Sequence, residues 1–161
     1  MNVLILYRSY SGNTEKLAHL IAASLTHGGN ASTVQDLRKR LPEAQSFDCV
    51  LMGAPTRMAG VTGRALGALK RLKKGGFAHK PIGFFDTYGP LPTNPQDLEA
   101  GRKWLYPGAV GKMLEAARKL GLRAHPETLR STVTGLKGPL ADDSPAAADS
   151  FVKNFLAAVA R

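Results

Sequence analysis

Residues Val3 to Thr14 restrict what this chain can fold into more than any other stretch. An apolar run, Val3-Leu4-Ile5-Leu6, sits almost at the N-terminus and breaks into a hydroxyl-rich loop, Ser9-Tyr10-Ser11-Gly12-Asn13-Thr14. Leu17, Leu20 and Ile21 then fall on one face of a helix predicted over Glu15 to Ala23. A strand that passes through such a loop into a helix forms an anion site, because a helix start leaves N–H groups unpaired and carries positive partial charge. Ser9, Ser11 and Thr14 add hydroxyls, Asn13 an amide, and Gly12 the backbone freedom to turn closely around a ligand. The loop has neither the Gly-x-x-x-x-Gly-Lys-Ser/Thr spacing of a nucleoside-triphosphate site nor the Gly-x-Gly-x-x-Gly spacing of a dinucleotide site.

The rest of the chain alternates strand and helix signals. Gly28-Gly29-Asn30 ends the first helix, and Ala31 to Leu37 reads as a short second strand. Cys49-Val50-Leu51-Met52-Gly53 is a continuous apolar run typical of a strand buried on both faces. A loop from Ala54 to Gly60 follows it, and then a helix from about Thr62 to Leu72. Lys80 to Phe85 gives a fourth strand, with Asp86-Thr87-Tyr88-Gly89 as its loop. Pro90, Pro92, Pro95 and Pro107 make Pro90 to Gly108 a long connection without a long helix or strand. A helix over Ala109 to Leu120, a bent last strand within Leu122 to Thr134, and a terminal helix capped by Ser144-Pro145 complete the chain. This alternation predicts an α/β fold in three layers, a doubly wound parallel sheet with helices on both faces. At 161 residues, one domain over 1–161 is expected, with no internal repeat.

Ser9-Tyr10-Ser11-Gly12-Asn13-Thr14 resembles the phosphate loop of the flavodoxin family. That loop has a hydroxyl residue, any residue and a hydroxyl residue, then Gly-Asn-Thr, directly after the first strand. The resemblance implies a five-stranded sheet of order 2-1-3-4-5 with FMN bound at its switch point, on the loops after strands 1, 3 and 4. The second of these loops, Gly53-Ala54-Pro55-Thr56-Arg57-Met58-Ala59-Gly60, is similar to the Gly-x-Pro-Thr-Arg loop of FMN quinone reductases of the tryptophan-repressor-binding-protein family. It is also similar to the Pro-Thr loop of the flavodoxin domains of flavo-diiron proteins. Carried over residue by residue, the resemblance makes Ser9, Tyr10, Ser11, Gly12, Asn13 and Thr14 phosphate contacts. Pro55, Thr56, Arg57, Met58, Ala59 and Gly60, with Thr87, Tyr88 and Gly89, become flavin contacts. Tyr88 is the leading candidate to stack on the ring, and Pro90 to Gly108 is expected to form a lid or wall beside it.

Composition narrows the alternatives. No apolar run approaches the roughly 18 residues that cross a membrane, so membrane insertion is not expected. With a strand starting by Val3, no secretory leader is expected, which points to the cytoplasm. Cys49 is the only cysteine and is read as core packing. The four histidines show no metal-ligand spacing, and no residue is singled out as catalytic. The formal charge of +10, from 22 Lys plus Arg against 12 Asp plus Glu, is read as dispersed, with no nucleic-acid module. Such a surface favours acidic redox partner proteins. The functional expectation is therefore an FMN-binding electron-transfer protein. The alternatives are an NAD(P)H-dependent FMN quinone reductase and a flavin-free binding or regulatory module on the same fold. Homo-oligomerisation is left open.

Overall fold

The computed structural model describes residues 1–161. Five strands, β1 (Asn2–Tyr7), β2 (Ala31–Asp36), β3 (Cys49–Pro55), β4 (Ile82–Tyr88) and β5 (Ala124–Thr132), form one parallel sheet of order β2-β1-β3-β4-β5. The helices are α1 (Asn13–His27), α2 (Gly63–Leu72), α3 (Pro95–Leu105), α4 (Gly108–Lys119) and α5 (Ser144–Val159). Alternation along each strand divides the core. Leu4, Leu6, Val50, Met52, Ile82 and Phe84 pack toward α2 and α4, while Val3, Ile5, Cys49, Leu51 and Phe85 pack toward α1 and α5. The central strands are therefore apolar on both faces, as a sheet covered by helices requires. Glycine is needed at Gly53, where a Cβ would collide with the Phe85 ring, and at Gly83, where it would meet Leu51 at 2.7 Å. No helix is long and apolar enough to cross a membrane.

The parallel sheet and its order match the expectation, but several boundaries differ. Helix α1 starts at Asn13 and runs to His27, so the loop's last two residues already belong to it. Strand β4 continues to Tyr88, so Asp86, Thr87 and Tyr88 lie in the sheet and not in a loop. Asp86 is completely buried. Residues 95–105 form a helix where proline content argued against one, because Asn94 caps it, accepting 2.8 Å from the Gln96 N–H, and Pro95 takes the first turn. At α5 the sequence expectation misplaced the cap: Ser144 is the first helical residue, and its hydroxyl is buried without a partner. The bend in β5 is a register shift, since Ile82 pairs with Ala124 and Phe84 with Thr128.

The expected dispersal of charge also needs correction. Residues Arg38 to Lys80 hold ten Lys and Arg against Glu43 and Asp48 alone, which accounts for most of the net charge. Folding brings the two ends of this segment together. The Arg71 guanidinium donates to the Leu37 and Lys39 carbonyls, and Phe47 meets Phe77 at 6.5 Å.

Candidate functional site

A cavity of about 720 Å³ opens at the carboxyl ends of β1, β3 and β4, in the size range of small-molecule sites. Its lining comprises Tyr10, Ser11 and Asn13 from the first loop, Pro55 to Met58 from the second, Thr87 to Gly89 at the end of β4, and Val133, Leu136 and Lys137 after β5. None of these residues is acidic.

The first loop is built as an anion cradle. Gly12 sits at φ +92, a conformation that strains other residues, and its N–H donates to the Ser9 hydroxyl at 3.0 Å. The first helical bond runs from the Lys16 N–H to the Gly12 carbonyl, which leaves the N–H groups of Asn13, Thr14 and Glu15 without carbonyls one turn before them. Ser11 accepts from the Asn13 amide at 3.1 Å, while the buried Asn13 Oδ1 has no partner. A Cβ at Gly138 would collide with that amide, so the loop after β5 closes directly over the start of α1. Thr14 offers its N–H to this cradle, not its hydroxyl. Its hydroxyl is buried against the Thr87 hydroxyl at 2.8 Å, tying the first loop to β4. Ser9, Gly12 and Thr14 thus shape the cradle without lining the cavity.

The second loop turns sharply at Met58 (φ 50) and Ala59 (φ 60), both left-handed. Non-glycine residues hold that conformation only when their surroundings impose it. Arg57 and Gly60 close the turn with paired backbone bonds of 3.1 and 3.0 Å, and the Ala59 N–H donates to the Trp104 carbonyl at 2.7 Å. Ala59 and Gly60 therefore hold the turn and do not line the cavity. Arg57 stacks on Tyr10, 4.6 Å from its ring centre, and Arg8 does so at 4.2 Å. Burial pushes the Tyr10 phenol up, but the Thr62 hydroxyl, the Arg8 guanidinium and the charges of Arg8 and Arg57 outweigh it and lower its pKa.

Behind the cavity lies a polar hub that sequence reading missed. Asp86 receives Arg130 Nε at 2.9 and 3.2 Å and the Thr56 hydroxyl at 2.6 Å. Thr56 in turn accepts from the Ala109 N–H at 2.8 Å, and Arg130 donates to the Leu105 carbonyl at 2.9 Å. The guanidinium lies 4.1 Å from the Tyr88 ring centre and 4.9 Å from that of Tyr106. Gly108, at φ +72, is required here because a Cβ would strike Arg130 and Asp86. The hub fixes the second loop, β4, β5 and the start of α4 relative to one another. Tyr88 is half-buried, with its pKa raised by burial and by Tyr106, and it stands between Arg130 and the cavity. The other missed residues, Val133, Leu136 and Lys137, follow β5 in a stretch with no recognisable motif. No group of His, Cys, Asp and Glu side chains is arranged to hold a metal ion.

Residues 4–97 match the family described as the flavodoxin domain. Among solved structures, the chain superposes on a flavodoxin from the domain Archaea with TM-score 0.72 and 16% identity over 100% of both chains. It superposes on a short-chain flavodoxin associated with a non-canonical PDU bacterial microcompartment with TM-score 0.74 and 14% identity over 99% of each. For the rubredoxin oxygen:oxidoreductase of Desulfovibrio gigas the TM-score is 0.70 at 19% identity, over 99% of this chain but 36% of that one. At such identities these likenesses show a shared fold. No curated protein matches the sequence significantly. With more than half of its length matched and its sheet in the 2-1-3-4-5 order, the chain belongs to the flavodoxin domain family, a family of FMN-binding electron-transfer domains.

Proposed function

We propose that this chain binds FMN noncovalently in the cavity at the ends of β1, β3 and β4 and transfers electrons between redox partners. The observation that carries this reading is the unpaired N-terminus of α1, with Ser11 and Asn13 beside it, at a cavity that no carboxylate lines. Those N–H groups and the Ser11 hydroxyl would hold the phosphate dianion through charge-assisted hydrogen bonds. Pro55 to Met58, Tyr88 and the residues after β5 would hold the ring system. FMN, once bound, supplies one- and two-electron chemistry, and the protein contributes orientation and electrostatics. Arg130 and Asp86 keep Tyr88 and the second loop in place, and Arg57 puts a cation at the rim. A purified protein titrated with FMN tests the reading. Saturation at one FMN per chain supports it, and absence of binding leaves the flavin-free module of the same fold.

A second reading, an NAD(P)H-dependent FMN quinone reductase, draws support from Pro55-Thr56-Arg57 and from the cations Arg57 and Lys137 lining the cavity without an acidic counterpart. These would favour an anionic reductant. Steady-state oxidation of NADH or NADPH by the FMN-loaded protein with a quinone separates the readings, because a pure carrier needs a separate reductase.

A further inference from the structure

The two ends of the segment Arg38 to Lys80 meet on one face. Helix α2 turns Ala65, Ala68, Leu69 and Leu72 into the core. On the opposite side, positions 64, 67, 70, 71 and 74 succeed one another at helical spacing as Arg, Gly, Lys, Arg and Lys. The connection after β2 lies against the end of this helix. Arg71 bonds the Leu37 and Lys39 carbonyls, a Cβ at Gly75 would rest 3.5 Å from Leu41, and one at Gly76 would rest 3.3 Å from Ala44. Arg38, Lys39 and Arg40 therefore share a face with Lys70, Lys73 and Lys74, and all six are exposed. Only Arg38 has a carboxylate partner, Asp36 at 2.9 Å. The two carboxylates within the segment are engaged elsewhere: Glu43 accepts from Gln45, and Asp48 from the Asn2 N–H.

We propose that this face adsorbs the protein to an anionic phospholipid surface. Its composition selects that partner over others. A stable protein interface needs an apolar or aromatic centre. The exposed large apolar side chains are Met1, Tyr10, Met58, Leu91, Leu98, Trp104, Tyr106 and Leu136, and none of them belongs to this segment's helix or its connection. Met58, the one within its sequence range, sits at the cavity. Nucleic-acid contacts mix cations with hydroxyl and amide donors and with helix N-termini. This face presents the side and carboxyl end of α2, with no hydroxyl or amide among its exposed helical positions. What remains is a cluster of exposed cations on the side of α2 where a Cβ at Gly63 or Gly67 would meet nothing. A lipid headgroup layer is a plane of negative charge that needs no pocket and no complementary shape. Adsorption without an apolar anchor is reversible and salt-sensitive. A lipid-soluble quinone, the oxidant of the second functional reading, resides in the hydrocarbon beneath such a layer, but the adsorption itself does not depend on flavin.

Sedimentation with sucrose-loaded vesicles tests the proposal, using phosphatidylcholine alone or with about one-third phosphatidylglycerol, at about 0.05 M and about 0.5 M NaCl. The expected result is binding to the anionic vesicles only, abolished at the higher salt. Each membrane-facing cation is worth roughly fivefold in affinity, so K70Q/K73Q/K74Q should bind on the order of 100-fold more weakly. R118Q/R123Q/K153Q removes the same charge from other exposed positions and should bind as the parent does. Circular dichroism of both variants establishes that they are folded, and R38Q/K39Q/R40Q repeats the test on the connection alone. Three results overturn the proposal: no binding to anionic vesicles, equal loss in the control variant, or tighter binding of duplex DNA than of vesicles through the same lysines.

Discussion

Asp86 has no solvent exposure, and its charge is tolerable only because Arg130, Thr56 and the Val110 N–H surround it. Arg130→Gln leaves that carboxylate unpaired and should cost about 3–5 kcal/mol of stability, whereas Asp86→Asn/Arg130→Gln should recover much of it. Urea unfolding of the three proteins checks this. Gly138→Ala puts a methyl into the Asn13 amide at φ +93, so it should weaken FMN binding by at least about tenfold in a titration while the sheet stays intact. Two acids carry a pH dependence. Burial first, then the bond to Glu15, lifts Tyr7 from 10.0 to about 12. Burial and the Asp48 charge lift Cys49 from 9.0 to about 12. Above pH 9 the unfolded chain releases protons that the folded protein keeps, so this stability is complete below pH 9 and declines toward pH 12. Urea midpoints measured across that range should fall, with a shallower slope in Cys49→Ala. At this scale the sequence was legible where residues are neighbours, as in Ser9 to Thr14. It was silent on Asp86 with Arg130, because a pair 44 positions apart is made by strand pairing and not by spacing.

The elements were legible where one local rule acted alone. Continuous apolar runs marked β1 and β3, and glycines marked the end of α1. Prolines were the weak point: Asn94-Pro95 starts a helix by the capping rule, while at Ser144-Pro145 the same rule points one residue too late, because Asp143 holds the cap position. Strand β4 outran its apolar core because Asp86 and Thr87 are satisfied by partners from other elements. Val133 to Lys137 escaped notice because its place at the cavity follows from the sheet edge and the Gly138 contact with Asn13, not from its own chemistry. Helix α3 has no buried residue, yet its Trp104 carbonyl receives the Ala59 N–H at the turn of the second loop. Replacing Pro95 to Lys103 with a short glycine linker should change stability by less than about 1 kcal/mol, since little apolar area is lost. It should alter FMN affinity or quinone access if α3 is the expected wall. An unfolded product, or a folded one unchanged in both, contradicts that role.

For the whole molecule, the parallel order places the ends of β1, β3 and β4 on one rim, where Arg57 and Lys137 line the cavity without an acidic counterpart. Electron transfer to an acidic acceptor protein should therefore slow as salt rises, because screening removes the long-range attraction that speeds encounter. Stopped-flow rates across a salt series check this, and a rate indifferent to salt contradicts it. If α1's unpaired amides hold the phosphate of FMN, riboflavin, which has the same ring and no phosphate, must bind less well. Calorimetric titration of the flavin-free protein should give one FMN per chain and bind riboflavin at least about tenfold more weakly, since several charge-assisted hydrogen bonds are lost. Equal affinity for the two, or no binding of FMN, would show that these amides do not hold the phosphate.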